Sequence, residues 1–308
     1  MGKWSGKKVA VLYGGLSTER EVSLKTGAAC AEGLRARGYD ALLIDVGHDI
    51  GERLRSAKVD VAFNALHGRY GEDGCIQGLL ESLEIPYTGS GVLASAVGMD
   101  KVVSKVLFRA LGLAVAEYRV FSHQAAASVR AADLPFGLPC VVKPAGEGSS
   151  VGVHIVRDPA GLAAACVDAA SYKGDVIVER YVRGKEVQVA VLDDRALGVI
   201  EIVPANEFYD YAAKYTAGTT QYFYPARIPD AHRKALAEAG EIAHRGLGCS
   251  GVTRSDFILT ADGTPFILEV NTLPGMSATS LVPKIARGNG ISFEDLCERL
   301  LEGATLKA

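Results

Sequence analysis

Gly251–Ser280, GVTRSDFILTADGTPFILEVNTLPGMSATS, is the stretch from which the rest of the chain can be read. Apolar and polar residues alternate over Val252–Leu259 and again over Phe266–Val270, with the turn dipeptide Asp262-Gly263 between them, which predicts a β-hairpin. A two-residue turn sets Asp256 opposite Glu269 and Arg254 opposite Asn271. Strand side chains repeat every second residue, so these four share one face, while Phe257, Leu259, Phe266 and Leu268 point the other way into a core. Two carboxylates facing each other repel. A hard divalent cation removes the repulsion, and oxygen ligands from Asp256, Glu269 and Asn271 suit magnesium, which usually also binds substrate phosphates. Arg254 would then be at hand for a phosphate or a developing oxyanion. The plainer alternative is a solvated hairpin face on which Arg254 neutralises the acids.

The bulk numbers set the frame. A chain of 308 residues has room for two or three domains, and 48% apolar with 22% charged residues is ordinary for a soluble globular protein. A formal charge of −3 and no basic cluster argue against a nucleic-acid surface. The six cysteines are scattered without a C-x-x-C pair, as expected of reduced, mostly buried thiols in a reducing compartment. The apolar run Val9–Tyr13 is too short for a signal peptide, and no stretch approaches the ~18 apolar residues of a membrane span. A cytoplasmic protein with no membrane contact is the expectation.

Upstream, Lys8–Tyr13, a helix opened by a Thr18…Glu21 capping box and running towards Gly38, and Tyr39–Asp45 read as a βαβ unit, with Val59–Leu66 a further strand. Ligands of such parallel sheets bind beyond the carboxyl ends of the strands, where Glu19 and His67 fall. Taken singly, Glu19 also reads as a first-turn acid and His67 as a hydrogen-bonded loop histidine. Gly89–Ala94 matches G-x-G-x-x-A but comes too late for a dinucleotide fingerprint, whose place is the first βα turn. A boundary falls near Met99, with a helix over Asp100–Leu111.

Leu138–Lys143 predicts a strand leading into Ala145-Gly146-Glu147-Gly148-Ser149-Ser150-Val151-Gly152, a loop able to offer N–H groups and hydroxyls to phosphate oxygens. Its lysine precedes the glycines, so it is not a Walker A loop. Asp175–Tyr181 and Lys185–Leu192 alternate as strands, and Glu179 and Glu186 flank their connection. Pro204–Ala226, rich in tyrosine and without periodicity, reads as a long loop of lid or binding type. Pro229–Leu247 is an amphipathic helix, and a helical region runs from Ser280 to Glu302.

In this order, GGLSTEREVSL, ALHGRYGEDG, IPYTGSG, MDK, KPAGEGSSVG, FYDYAAKY, TQYF and LEVNTLPGMSATSLVP resemble the ATP-grasp ligases, and within them the D-alanine–D-alanine ligases, from about Lys7 to Leu301. The resemblance implies an α/β and α+β multidomain chain: an N-terminal parallel βαβ domain at 1–99, then a two-part ATP-grasp fold at 100–184 and 185–308. It implies ATP as substrate, a magnesium pair on Asp256, Glu269 and Asn271, and phosphate contacts from Lys101, Lys143, Lys214 and the Gly148-Ser149-Ser150 loop. The segment Glu179, Arg180 to Val182 would hold adenine, with Phe208 packed on the base and Glu186 on the ribose. Glu19, helped by His67, would bind the ammonium of a first D-alanine and form a network with Ser149 and Tyr215. Arg254 and the Gly275 N–H would stabilise the oxyanion, and Ser280 with the Leu281 N–H would hold the carboxylate of a second D-alanine. A homodimer through the N-terminal domain is also implied. FYDYAAKY differs from the loop of relatives that use D-lactate and favours an amine acceptor. Ala145-Gly146 departs from many relatives, which carry a bulkier or basic residue there. Rival readings are an ATP-grasp ligase with other substrates, a non-catalytic nucleotide-binding protein, and an oxidoreductase resting on Gly89–Ala94 alone.

Overall fold

The structure is a computed structural model describing residues 2–148, 151–172, 174–205, 220–277 and 280–307. Ser149, Ser150, Phe208, Lys214 and Tyr215 lie outside the described residues. The first sheet is parallel, with β1 (Lys8–Tyr13) between β2 (Asp40–Asp45) and β3 (Val61–Asn64). β1 is apolar on both faces because both are covered. Val9 and Val11 pack with Cys30 and Leu34 of α1 (Arg20–Ala36) on one side. Ala10 and Leu12 pack on the other with Leu54 of α2 (Ile50–Ala57) and Leu80 of α3 (Cys75–Ser82). The Thr18–Glu21 capping box does not form: Glu19 takes the N-cap position without a side-chain cap bond. Ser17 makes the turn instead, its Oγ accepting from the Glu19 N–H at 3.1 Å and donating to the His67 carbonyl at 2.6 Å.

α4 (Val92–Met99) runs directly into α5 (Lys101–Ala110), the two separated by Asp100, whose carboxylate accepts from the Val102 and Val103 N–H groups at 2.9 and 3.0 Å. The second sheet is antiparallel, β4-β7-β5-β6, built from β4 (Tyr118–Phe121), β5 (Cys140–Pro144), β6 (His154–Val156) and β7 (Val176–Arg180). α6 (Leu162–Ala170) covers one face through Leu162, Cys166 and Ala169.

The third sheet, also antiparallel, has the order β10-β9-β8-β11-β12. Its strands are β8 (Lys185–Leu192), β9 (Arg195–Pro204), β10 (Thr220–Phe223), β11 (Val252–Leu259) and β12 (Pro265–Asn271). β9 was not legible as a strand, and β10 corrects the reading of Pro204–Ala226 as loop throughout: Thr220–Phe223 pairs with Glu201–Pro204. On one face Val187, Val189 and Val191 pack against Leu236, Ala239 and Ala243 of α7 (Asp230–Gly246). On the other, Ala190, Leu192 and Ile200 meet α8 (Leu281–Gly288), α9 (Phe293–Glu302) and the Val9/Val11 face of the first sheet in a single core. The closing helices are thus the mortar between the first sheet and the third.

The predicted hairpin exists, with one irregularity. Asp256 faces Glu269 and Arg254 faces Asn271, as the alternation requires, but Phe257 pairs with Ile267, so Leu268 is an extra residue in a β-bulge. The turn is responsible: Thr260 and Thr264, bonded N–H to carbonyl at 3.1 Å, close a loop longer than the two residues expected. A bulge leaves neighbouring residues on one side of the sheet. Phe257 and Leu259 are in the core as expected, joined by Ile267 and Val270. Phe266 is only half-buried, and Leu268 turns out of the core, beside Glu269.

Between β7 and β8 the chain passes against the hairpin at Gly184, where a Cβ would overlap the Leu259 carbonyl. A Gly184→Ala variant is expected to lose about 1–3 kcal/mol in urea unfolding, the usual cost of overpacking. Gly146→Ala, with nothing within 4 Å of its new methyl, should stay within about 0.5 kcal/mol of the parent.

Candidate functional site

The second and third sheets enclose a cleft of about 500 Å³, within the range of small-molecule sites. Its walls are apolar where Val141, Ile155, Val182 and Ile202 line it, and charged where Lys101, Lys143, Asp256 and Glu269 do. The connection Tyr181–Gly184 links the two walls, and Arg180, Val182 and Glu186 all line the cleft. Arg180 is exposed and 3.6 Å from Glu117.

Glu179 does not offer its carboxylate to the cleft as an open acceptor. It is 3% exposed, with one oxygen 2.6 Å from Lys143 Nζ and the other 2.7 Å from Lys105 Nζ. Burial acts to raise its pKa, but the two ammonium groups outweigh that and take it down to about 2. Burial takes Lys105 the other way, down to about 8, against the pull of Glu179. Lys105 was missed in the sequence, although it lies one helical turn beyond Lys101 and so on the same face of α5.

Lys101 opens α5. Its N–H donates to the Ala145 carbonyl at 3.0 Å and its Nζ to the Glu147 carbonyl at 2.5 Å, fastening the helix start to the glycine loop. The same Nζ is 3.2 Å from Glu269. Across the hairpin, Arg254 makes a two-pronged contact with Asp256 at 2.8 and 2.9 Å, and Gln188 Nε2 donates to the same carboxylate at 3.0 Å. The guanidinium expected at an oxyanion is therefore turned onto Asp256. Gln188 reaches Asp256 because β8 pairs with β11 there, a neighbourhood that linear pattern does not disclose.

Among the described residues no three His, Cys, Asp or Glu side chains cluster as a metal site. The magnesium reading rests on two carboxylates and an amide oxygen. These fit: Asp256 and Glu269 are opposed on adjacent strands, and Asn271 Oδ1, which accepts from the Leu273 N–H at 2.9 Å, keeps a second lone pair. A further charged group that the sequence pattern does not disclose is Glu201 on β9. It is 2% exposed, held by Lys185 at 3.0 Å and Arg227 at 2.9 Å on the cleft wall.

The remaining predicted residues fall into two groups, one at Glu19 and His67 and the other at Gly275 and Ser280. A methyl added to Gly68 would lie 2.9 Å from Glu19 Oε2, and one added to Gly148 only 3.4 Å away, so the Glu19 carboxylate sits between the His67 loop and the glycine loop. His67 is buried, with Nε2 3.0 Å from Thr26 Oγ1 and Nδ1 3.1 Å from Glu72. Both ring nitrogens are engaged, so the histidine supports the loop. Burial is the main influence raising the Glu147 pKa, with Glu19 adding to it and Arg69 and Lys101 opposing. Gly275 and Ser280 are adjacent: a Cβ on Gly275 would come 2.9 Å from Ser280 Oγ, which also accepts from the Ser277 N–H at 3.0 Å. Ser280 is the N-cap of α8 and Leu281 its first residue, so N–H groups and the positive end of the helix dipole at this point would favour an anion.

Family models describing the D-ala D-ala ligase C-terminus and N-terminus match residues 107–302 and 47–90. The chain is 72% identical over 308 residues, the full length of both, to a D-alanine–D-alanine ligase of Anaeromyxobacter sp. (strain K). Among solved structures, the D-alanine–D-alanine ligase of Bacillus anthracis complexed with ATP is similar at a TM-score of 0.85 and 34% identity, covering 96% of each chain. The VanG D-Ala:D-Ser ligase of Enterococcus faecalis is similar at 0.83 and 32%, covering 96% of this chain and 98% of that one. With its fold and full length shared in this way, the chain belongs to the D-alanine–D-alanine ligase family, of ATP-grasp architecture.

Proposed function

We infer that the chain joins two molecules of D-alanine into D-alanyl-D-alanine for peptidoglycan synthesis, converting ATP to ADP and phosphate. What carries the reading is one convergence in a chain of this family: Lys101, Lys143, Asp256 and Glu269 line the cleft whose far end adjoins Glu19 and the glycine loop. We assign 1–99 to a first, substrate-binding domain and 100–184 and 185–308 to the two halves that hold the nucleotide. A cytoplasmic location and a homodimer through the first domain complete the proposal. Among the described residues no helix is long and apolar enough to cross a membrane.

A carboxylate is a poor electrophile, so the first D-alanine must be activated. Its carboxylate oxygen attacks the terminal phosphorus of ATP, ADP departs, and an acyl phosphate is left. Lys101 and Lys143 bring positive charge to the phosphates. Asp256, Glu269 and Asn271 are the residues that would hold magnesium, whose charge when bound neutralises phosphate oxygens. Glu19 pairs with the ammonium of the first D-alanine, with Ser149 and Tyr215 assigned to its network, while Lys214, Ser150 and Phe208 are assigned to the nucleotide. The second D-alanine loses an ammonium proton and its amine attacks the acyl carbon. The Gly275 N–H and Arg254, once the guanidinium swings from its two-pronged contact with Asp256, receive the negative charge on oxygen, and phosphate leaves as the peptide bond forms. Ser280 and the Leu281 N–H hold the second carboxylate at the start of α8. Removing one oxyanion donor typically costs roughly 2.7–4 kcal/mol of barrier.

ADP release should therefore require D-alanine and be negligible with L-alanine. A coupled assay with D-alanine, D-serine and D-lactate as acceptors should rank D-alanine first. A folded protein silent with D-alanine under all magnesium concentrations would refute the activity. Glu269→Gln should lower turnover at least ~100-fold while leaving the unfolding midpoint near that of the parent. Parental turnover in that variant would remove Glu269 from the metal site.

A further inference from the structure

We propose that Lys105 is a positioning residue for nucleotide binding, setting through Glu179 both the place and the effective charge of Lys143. The proposal rests on the reading of the cleft as the nucleotide site. Lys105 does not line that cleft, and its side chain has no exposure, so it touches no ligand. Its Nζ lies 2.7 Å from Glu179 Oε2, while the other Glu179 oxygen holds Lys143 Nζ at 2.6 Å. Lys143 is the member of the trio that both carries positive charge and reaches the cleft.

Charge explains the need for two lysines. A lone Lys143–Glu179 pair is neutral overall and presents a phosphate with little net field. Two ammonium groups on one carboxylate leave one unit of positive charge, and Lys143 is the end through which it reaches the cleft. With Lys105 gone, both Glu179 oxygens could turn to Lys143 and draw it from the phosphates. Burial of an ammonium is costly without a partner, so the pair is also fixed in place. The surroundings of Lys105 are consistent with a held group: Tyr118, paired with Glu179 across β4 and β7, presents its ring 5.8 Å from Nζ. Arg109 lies over the same ring at 4.4 Å, and Lys101 precedes Lys105 by one turn. Lys101, Arg109, Tyr118, Lys143 and Glu179 are thus the titratable groups around it, with Glu179 the sole acid in direct contact among the described residues.

The test is equilibrium binding of ADP in magnesium buffer to the parent, Lys105→Met, and the double variant Lys105→Met/Glu179→Gln. Lys105→Met should bind ADP about tenfold more weakly, corresponding to about 1.4 kcal/mol, with D-alanine KM little changed. The double variant restores a net single positive charge and should recover most of the loss, which a packing role for Lys105 would not produce. Parental affinity in Lys105→Met, or a double variant as weak as the single one, would overturn the proposal. Should Lys105→Met fail to fold, the parent itself is measured from pH 7 to 9. Lys105 is charged below its lowered pKa and neutral above it, so ADP affinity should fall as pH rises through about 8, and a flat profile would overturn the proposal. A parent that binds no ADP at all would instead refute the nucleotide reading beneath it.

Discussion

Carboxylates brought together in a cleft walled by valine and isoleucine stay ionised only if cations are brought to them. Four of the lining carboxylates have cations beside them: Glu179 with Lys105 and Lys143, Asp256 with Arg254, Glu269 with Lys101, and Glu201 with Lys185 and Arg227. The cations come from different elements, so the pairings also tie α5 to both sheets. For a site proposed to receive polyphosphate, acids already paired and a surplus of positive charge in fixed positions limit the reorganisation required when the ligand enters.

Much of this was legible because it rests on local pattern. The hairpin face with Asp256 and Glu269 follows from alternation, the α5 start from Asp100, and the parallel opening from an apolar strand covered on both sides. What escaped depends on neighbours distant in sequence. Gln188 meets Asp256 only because β8 lies beside β11. β9 carries Glu201, and its role shows only once β10 and β8 flank it. Thr18…Glu21 has the form of a capping box, but Ser17 bonds to the His67 carbonyl and moves the helix start past it, leaving Glu19 at the N-cap.

The acceptor is a finer matter than the fold. A D-Ala:D-Ser ligase and D-alanine–D-alanine ligases match this chain with nearly the same overall agreement, so likeness of fold does not by itself name the second substrate. The proposed reaction uses three elements of this chain: the cleft between the second and third sheets, an acid beside the glycine loop, and a helix start at Ser280. Under the proposed assignment of Ser280 and the Leu281 N–H to the second carboxylate, discrimination between an alanine methyl and a serine hydroxymethyl would fall to side chains around that helix start, a difference of one buried polar group.

The extra residue at Leu268 decides which side chains confront each other. A hairpin continued in the register of its turn would set Leu268 across from Asp256 and Val270 across from Arg254. Asp256 would then look at a hydrocarbon, and the glutamate would be swung towards the packed interior. One surplus link in the strand thereby creates the encounter of two acids and leaves an oily patch beside it, giving the cavity floor a polar half and an apolar half. A ligand with a flat aromatic end and a highly charged end can lie on such a floor in only one direction.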